Sequence, residues 1–355
     1  MNRFVLLSVR SFGGACLVLV LSFASAVAAG KFEDRLELLA RRRGEARAIR
    51  LKMTGTRLLQ RGAWNEARNG GIDDYPDQDY KLPAEREFLI DFAGNRVWSV
   101  KNAQGPFSDG TTMRVINQYY ESFFDGQDYL THSPTEKNRV VGSADMRPGV
   151  DVRLHNEETK KRGPSFQDIE RISLFAAGRL PPREEFPALG DVLDLPPPRL
   201  MYKDTVTRDG VTCVVVTTEA KPKSDFYDEY WLDPRANVVC YRFMKVNEIR
   251  QQLDIKYADP KDRTSPTEYS YREFSPFDAK KLWSSETGRI TSVERNPKIN
   301  DAKFRYTPKF GELITSRSDG KELFWIQGVD VPPMDDPTSA IFALAKLRGK
   351  QKAAK

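Results

Sequence analysis

The stretch FYDEYWLDPRANVVCYRFMKV, Phe226–Val246, decides how the rest of the chain is read. Two runs rich in aromatic and β-branched residues flank Asp233-Pro234-Arg235-Ala236-Asn237, so the segment reads as a hairpin of two long strands in the middle of a large antiparallel sheet. Alternation puts Tyr227 and Trp231 on one face and Phe226, Tyr230 and Leu232 on the other. Both faces are apolar, so the pattern does not say which set points inward.

The same signals recur on either side. Leu200–Thr207 and Val211–Thr218 form a hairpin turning at Asp209-Gly210, and Ile249–Tyr257 alternates, with Ile249, Leu253, Ile255 and Tyr257 in phase. Further strands are expected at Tyr269–Phe274 and around Arg289–Glu294, Lys303–Thr307 and Leu323–Val331. On the N-terminal side, Arg86–Phe92 and Val97–Val100 flank Gly94-Asn95, and Met113–Phe124 and Gln127–Thr131 flank Asp125-Gly126, both turn pairs that tolerate positive φ. Asn65–Pro83 is turn-rich and polar, a loop.

Helices are expected at the two ends. Phe32, Leu36, Leu39, Ala40, Ala46, Ile49 and Met53 recur at helical spacing over Lys31–Met53, with the run RRRGEAR as a solvated face. Asp335-Asp336-Pro337 caps a short helix over Thr338–Leu347, followed by a frayed basic tail with Lys350, Lys352 and Lys355. Between them Lys137–Pro198 is charged and proline-punctuated, with one helix-like run at Phe166–Ala177, and reads as an insertion over an end or face of the sheet. The fold class is therefore α+β: about ten to twelve strands in a large curved antiparallel sheet forming an incomplete β-barrel, with helices near both termini and an inserted helical and loop region. The expected division is a leader over 1–29, the half-barrel over 30–333 with the insertion at 137–198, and a C-terminal helix and tail over 334–355.

The leader has Arg3 and Arg10, no acid, an apolar run from Ala15 to Phe23 and small residues ending at Ala28-Ala29. That is the layout of a secretory signal peptide, and the apolar run is shorter than the ~20 residues a membrane span needs. Cys16 lies inside the apolar core rather than after it, which argues against lipidation there. An exported protein of the periplasm or cell envelope is expected. Loss of the leader takes the formal charge from +6 to +4, a mild excess suited to a mixed-charge surface. Export permits a disulfide between Cys213 and Cys240. However, the strand between them separates them by two ladder spacings, about 9.6 Å, so two buried free thiols are expected.

Catalytic motifs are missing. His132 and His155 stand apart, without ligand-spaced partners, and are read as surface residues. There is no phosphate-cradling glycine loop, nucleophile elbow or CxxC, and the acids Asp73, Asp74, Asp77 and Asp79 lack the glycine and terminal glutamate of a calcium loop. The basic tail has no interleaved aromatics. No enzyme activity, cofactor, metal or nucleic-acid partner is expected.

Three segments in order resemble the LolA-like family of periplasmic lipoprotein carriers: FFDGQDYLTHSP at Phe123–Pro134, EYWLDPRANVVCYRF at Glu229–Phe243 and ERNPKINDAKFRYTPKFGELI at Glu294–Ile314. The resemblance implies an incomplete barrel, lidded by helices, enclosing an apolar cavity for a lipid or lipoprotein acyl chain. A membrane-surface or envelope protein partner is also implied. The chain is longer than a compact carrier of that kind, through Lys137–Pro198 and the tail after Val331. Candidate ligand-binding residues are Phe88, Ile90, Phe92, Tyr129, Trp231, Leu253 and Ile255. The alternative is an envelope scaffolding or interaction domain in which such residues merely pack as core.

Overall fold

The computed structural model describes residues 31–65, 74–108, 113–134, 137–138, 140–141, 150–155, 163–166, 168–181, 188–194, 198–219, 225–246, 248–258, 265–318, 321–330 and 332–353. The expected leader, with Cys16, lies outside them. Fifteen strands form one sheet that does not close into a barrel. From its centre the chain steps outward through β1 (Ala48–Leu59), β2 (Tyr80–Asp91), β3 (Arg96–Ser108), β4 (Met113–Phe124), β5 (Tyr129–His132) and β6 (Val152–Leu154). It then crosses to the far edge and returns through β7 (Leu200–Arg208), β8 (Val211–Thr218), β9 (Phe226–Leu232), β10 (Val238–Lys245), β11 (Glu248–Tyr257), β12 (Pro266–Phe274) and β13 (Leu282–Arg295), which pairs with β1. Finally β14 (Leu313–Ser318) lies parallel to β6, and β15 (Lys321–Ile326) forms the second edge. All other pairings between adjacent strands are antiparallel.

The helices are α1 (31–45), α2 (Arg171–Ala176), α3 (Leu189–Asp194) and α4 (Pro337–Ala353). Helix α1 stops well short of Met53, where the spacing of apolar residues had extended it. Ala46, Ile49 and Met53 fit a helical stripe, but Ile49, Leu51 and Met53 also alternate, and all three are buried on one face of β1. The tertiary context selects the strand reading, because β1 is paired on both sides. Asn296 holds the junction: its Oδ1 accepts from the backbone N–H of Arg47 at 2.8 Å and Ala48 at 3.1 Å, and its Nδ2 donates to the Glu45 carbonyl at 3.0 Å. The asparagine of the Asn-Pro segment thus ties the end of α1 to the end of β13.

The β9–β10 hairpin forms over the expected residues. Asp233 Oδ1 accepts from the N–H groups of Arg235 at 2.8 Å and Asn237 at 2.9 Å, and Ala236 takes the left-handed conformation at φ +59°. Its place in the sheet differs from expectation. β9 and β10 are third and fourth from the β7 edge, and the central strand is β1. Order across a sheet depends on non-local pairing, which a local strand pattern does not encode.

Four further elements depart from the sequence reading. Lys303–Thr307 is not a strand: Asp301–Phe304 is a 3-10 turn, capped by the Asn300 side chain accepting from Ala302 N–H at 3.1 Å. The strands β6 and β14 are too short or too polar for alternation to have marked them. Helix α4 runs through Lys350 and Lys352 to Ala353, started by Asp336, which accepts from Thr338 N–H at 3.1 Å and Ser339 N–H at 2.9 Å.

The concave face of the sheet carries the core. Phe88, Ile90, Val97, Tyr230, Leu232, Tyr241, Leu253, Ile255 and Tyr269 belong to one cluster with Phe166, Ile169, Ile172 and Phe175 of the insertion. Every residue of α2 is buried, and the Phe175 ring packs at 6.0 Å from Tyr230 and 5.7 Å from Tyr241. The insertion therefore plugs the hollow of the half-barrel. Arg171 enters with it, bonded to Tyr241 Oη and 3.8 Å from Asp228, while Tyr241 Oη donates to Asp228 at 2.8 Å. A guanidinium and a carboxylate so deeply buried are tolerable only as partners. The even-numbered residues of β9 are the inward set. On the opposite face Glu229 accepts from Lys203 at 2.6 Å and Trp231 Nε1 at 2.8 Å, with Arg242 over the Trp231 ring.

Cys213 and Cys240 are buried free thiols on β8 and β10, with β9 between them. Among the described residues no helix is long and apolar enough to cross a membrane.

Candidate functional site

The plug leaves one apolar hollow at the rim of the half-barrel, where α1 crosses the end of β2. It has a volume of about 860 Å³. Leu36, Leu39 and Ala40 come from one face of α1, spaced three and four residues apart. Phe92 and Ala93 form the wall beyond β2, and Leu180, Val192 and Leu200 come from the insertion and β7.

Four arginines stand among these apolar groups: Arg43, Arg47, Arg179 and Arg199. Arg43 follows Leu39 and Ala40 by one helical turn. Arg179 owes its place to the end of α2. Gly178 is left-handed at φ +69°, its N–H donates to the Phe175 carbonyl at 2.9 Å, and Arg179 N–H donates to the Leu174 carbonyl at 2.9 Å. This paired-bond helix ending reverses the chain and throws Arg179 out of the core toward the hollow. Its guanidinium lies 4.1 Å from the Phe92 ring centroid.

Gly178 also sets the height of α1. A Cβ there would sit 2.8 Å from Arg42 Cβ, so the helix rests directly on the glycine. Arg42 in turn donates to the Arg235 carbonyl at 2.7 Å and the Ala236 carbonyl at 3.3 Å, which pins α1 to the β9–β10 turn. Burial lowers the Arg42 pKa below its ordinary value.

The electrostatics of the hollow are one-sided. Among the described residues no aspartate or glutamate lines it. Arg179 Nε is buried without a hydrogen-bond partner among the described residues, and burial together with the charge of Arg43 pushes the Arg179 pKa down to about 10. Three other half-buried or buried arginines meet carboxylates: Arg86 with Glu286 at 2.5 Å, Arg96 with Asp91 at 2.5 Å and Arg208 with Asp254 at 2.7 Å.

Of the sequence-derived candidates, Phe92 lines the hollow. Phe88, Ile90, Leu253 and Ile255 lie inward on the sheet in contact with the plug and share the core cluster with Phe92. Tyr129 packs against that core and stacks on His155 at 3.9 Å, facing a second, more polar cleft of about 760 Å³. Trp231 is on the outer face. The four arginines and the apolar residues of α1 and the insertion were not singled out from sequence. The arginines of RRRGEAR were read as a solvated face, and Arg179 carries no sequence signal beyond a glycine before it.

The histidines depart from the surface role assigned to them. His132 is buried, its ring stacked on Tyr306 at 4.3 Å and its Nε2 3.3 Å from Glu312. His155 is half-buried, and burial with the nearby Arg153 pushes its pKa down to about 4. Among the described residues no group of three or more His, Cys, Asp or Glu side chains is arranged to hold a metal ion.

No protein-family model matches the chain, and no curated protein does. Among solved structures, a DUF1329 family protein from Desulfovibrio piger is similar at 12% identity and a TM-score of 0.40, over 77% of this chain and 97% of that one. A β-barrel-like DUF1849 protein from Brucella abortus is similar at 11% identity and a TM-score of 0.28, over 71% and 99%. LprF from Mycobacterium bovis is similar at 11% identity and 0.25, over 75% and 95%. Superpositions this loose carry no argument about ligand or partner.

Proposed function

We propose that this chain is an exported, non-enzymatic binding protein of the LolA-like kind that holds the apolar part of a lipid in the hollow beneath α1. The observation that supports it is an unfilled hollow of about 860 Å³ with leucines, valine and phenylalanine on its walls, in a fold whose remaining concave surface is packed. That volume lies within the ~300–1,000 Å³ of sites that enclose small ligands. Each methylene moved from water into such a hollow contributes about 0.8 kcal/mol.

The site differs from the one the resemblance implied. The inserted α2 occupies the hollow of the sheet, so the ligand space moves outward to the seam between α1, the insertion and β7. The same plug favours the second reading, an envelope scaffold whose concave face is filled by its own side chains.

Mild purification of the mature chain, solvent extraction and mass spectrometry test the proposal, alongside uptake of a fluorescent fatty acid. Ala40→Trp places a ring in the hollow from an exposed position on α1. Co-purified lipid and uptake that Ala40→Trp abolishes are expected. Neither lipid nor uptake in the parent protein would leave the scaffold reading.

A further inference from the structure

We propose that the hollow selects a single-chain anionic amphiphile, its carboxylate or phosphate held by Arg179, Arg43 and Arg199 while its chain lies against Leu36, Leu39 and Phe92. The inference rests on the binding role proposed above and names the chemistry of the ligand.

Three observations carry it. First, Arg43, Arg47, Arg179 and Arg199 all line an apolar space that, among the described residues, has no carboxylate in its lining. Placing like charges together beside apolar walls is costly, and a fold keeps such an arrangement when an outside anion completes it. Second, Arg179 is half-buried, its Nε has no partner among the described residues, and its strongest charged neighbour is another arginine. The other buried arginines of this chain show what satisfied ones look like: Arg86 meets both oxygens of Glu286, at 2.5 and 2.9 Å. Arg179 instead lies over the Phe92 ring in the lining of the hollow, with its Nε unpartnered among the described residues, and carboxylates and phosphates match a guanidinium fork with two parallel bonds.

Third, the charged and apolar parts are arranged end to end rather than mixed. On α1 the order Leu36, Leu39, Ala40, Arg43 runs from apolar to basic along one face, and Arg47 follows just beyond the end of the helix. An amphiphile with one chain and a terminal anion has the same polarity. The volume, inside the ~300–1,000 Å³ range of small-ligand sites, suits one chain rather than several.

The test uses the mature chain loaded with Nile red, a neutral apolar dye, and measures its displacement. Palmitate and hexadecyl phosphate are expected to displace the dye at concentrations about tenfold or more below methyl palmitate, the margin of a charge-assisted hydrogen bond. Hexadecyltrimethylammonium, with the same chain and the opposite charge, is expected to be the poorest competitor. Arg179→Gln and Arg199→Gln are each expected to weaken displacement by the anions more than displacement by methyl palmitate, and urea midpoints confirm that each variant is folded. Rising salt is expected to weaken palmitate more than the ester. Equal displacement by palmitate and its ester would overturn the anion clamp but leave an apolar site standing. Displacement by dipalmitoyl phosphatidate as good as by hexadecyl phosphate would overturn the single-chain restriction. Failure of the dye itself to bind would overturn the binding role.

Discussion

Gly178→Ala probes the joint on which the proposed site is built, and its cost can be worked from two separate terms. The first is conformational: at φ +69° an L-residue is in the left-handed region, which costs roughly 1–2 kcal/mol. The second is steric. The new Cβ would lie 2.8 Å from Arg42 Cβ, an atom next to the helix backbone that has no rotamer by which to escape, so α1 itself must lift. Overpacking of this kind costs roughly 1–3 kcal/mol. Together they predict a loss of about 2–5 kcal/mol, on the order of a third of a typical domain's stability. Gly210→Ala supplies the control, because Gly210 is left-handed at φ +74° in the β7–β8 turn but has nothing within 4 Å of the added methyl group. Only the conformational term applies there. Urea denaturation of both variants, read by tryptophan fluorescence, measures the difference, and dye binding to the folded Gly178→Ala protein reads the displacement of α1 and Arg179. Equal losses for the two substitutions would refute the claim that α1 rests on Gly178.

Other expectations follow from buried groups. Burial alone would raise the Glu286 carboxyl, but the bonds from Arg86 and from Tyr269 Oη at 2.7 Å outweigh it and the net shift is downward. A carboxyl depressed in the folded state stabilises above its unfolded pKa and loses that contribution as pH falls through the folded value, so Glu286→Gln should flatten the acid limb of stability against pH. At neutral pH the same variant leaves Arg86 buried without its carboxylate and should cost about 3–5 kcal/mol by urea denaturation, and a smaller loss for Arg86→Met with Glu286→Leu would confirm the pairing. Burial pushes the thiols of Cys213 and Cys240 up to about 11 and about 12, so both should react slowly with a thiol reagent at pH 8 in the native protein and rapidly in urea. Asp233→Ala should cost about 1–3 kcal/mol, because it removes the carboxylate that accepts two backbone N–H groups in the β9–β10 turn.

What the sequence disclosed divides by distance along the chain. The hairpins were readable because each is closed by a local device, such as Asp233 bonding residues two and four positions on, and because alternation needs only neighbours. β1 was misread because Ala46, Ile49 and Met53 fit one period while Ile49, Leu51 and Met53 fit another, and the deciding partner, Arg295 opposite Ile49, lies far away in sequence. The order of strands is of the same non-local kind, which is why the hairpin at Phe226–Val246 was placed at the centre and is found near an edge. The ligand-binding candidates Phe88, Ile90, Leu253 and Ile255 fall in one buried cluster, but nothing in their pattern shows that Phe175 of the insertion lies against the same face. The arginines were hidden for a related reason: a guanidinium's charge balance depends on the carboxylates the fold brings to it, and a run such as RRRGEAR gives the same letters whether or not a partner arrives.

That last point also explains why the proposed site stands at the seam rather than in the hollow of the sheet. A plug carrying Arg171 can enter the concave face because Asp228 and Tyr241 are there to receive its charge. The chain then leaves the core at once, through Gly178, and the next basic residue emerges where the sheet has ended and, among the described residues, no carboxylate lines the space. Two arginines eight residues apart in the same short segment thus meet opposite fates, one neutralised within the fold and one left for a ligand. If that contrast carries the function, supplying a carboxylate at the seam should mimic the ligand. Ala93→Glu introduces one from an exposed position on the lining. It is expected to hold or raise the urea midpoint while weakening palmitate displacement of Nile red by about tenfold, the effect of one charge-assisted bond already made. An Ala93→Glu protein that binds palmitate as well as the parent would show that the arginine cluster needs no anion.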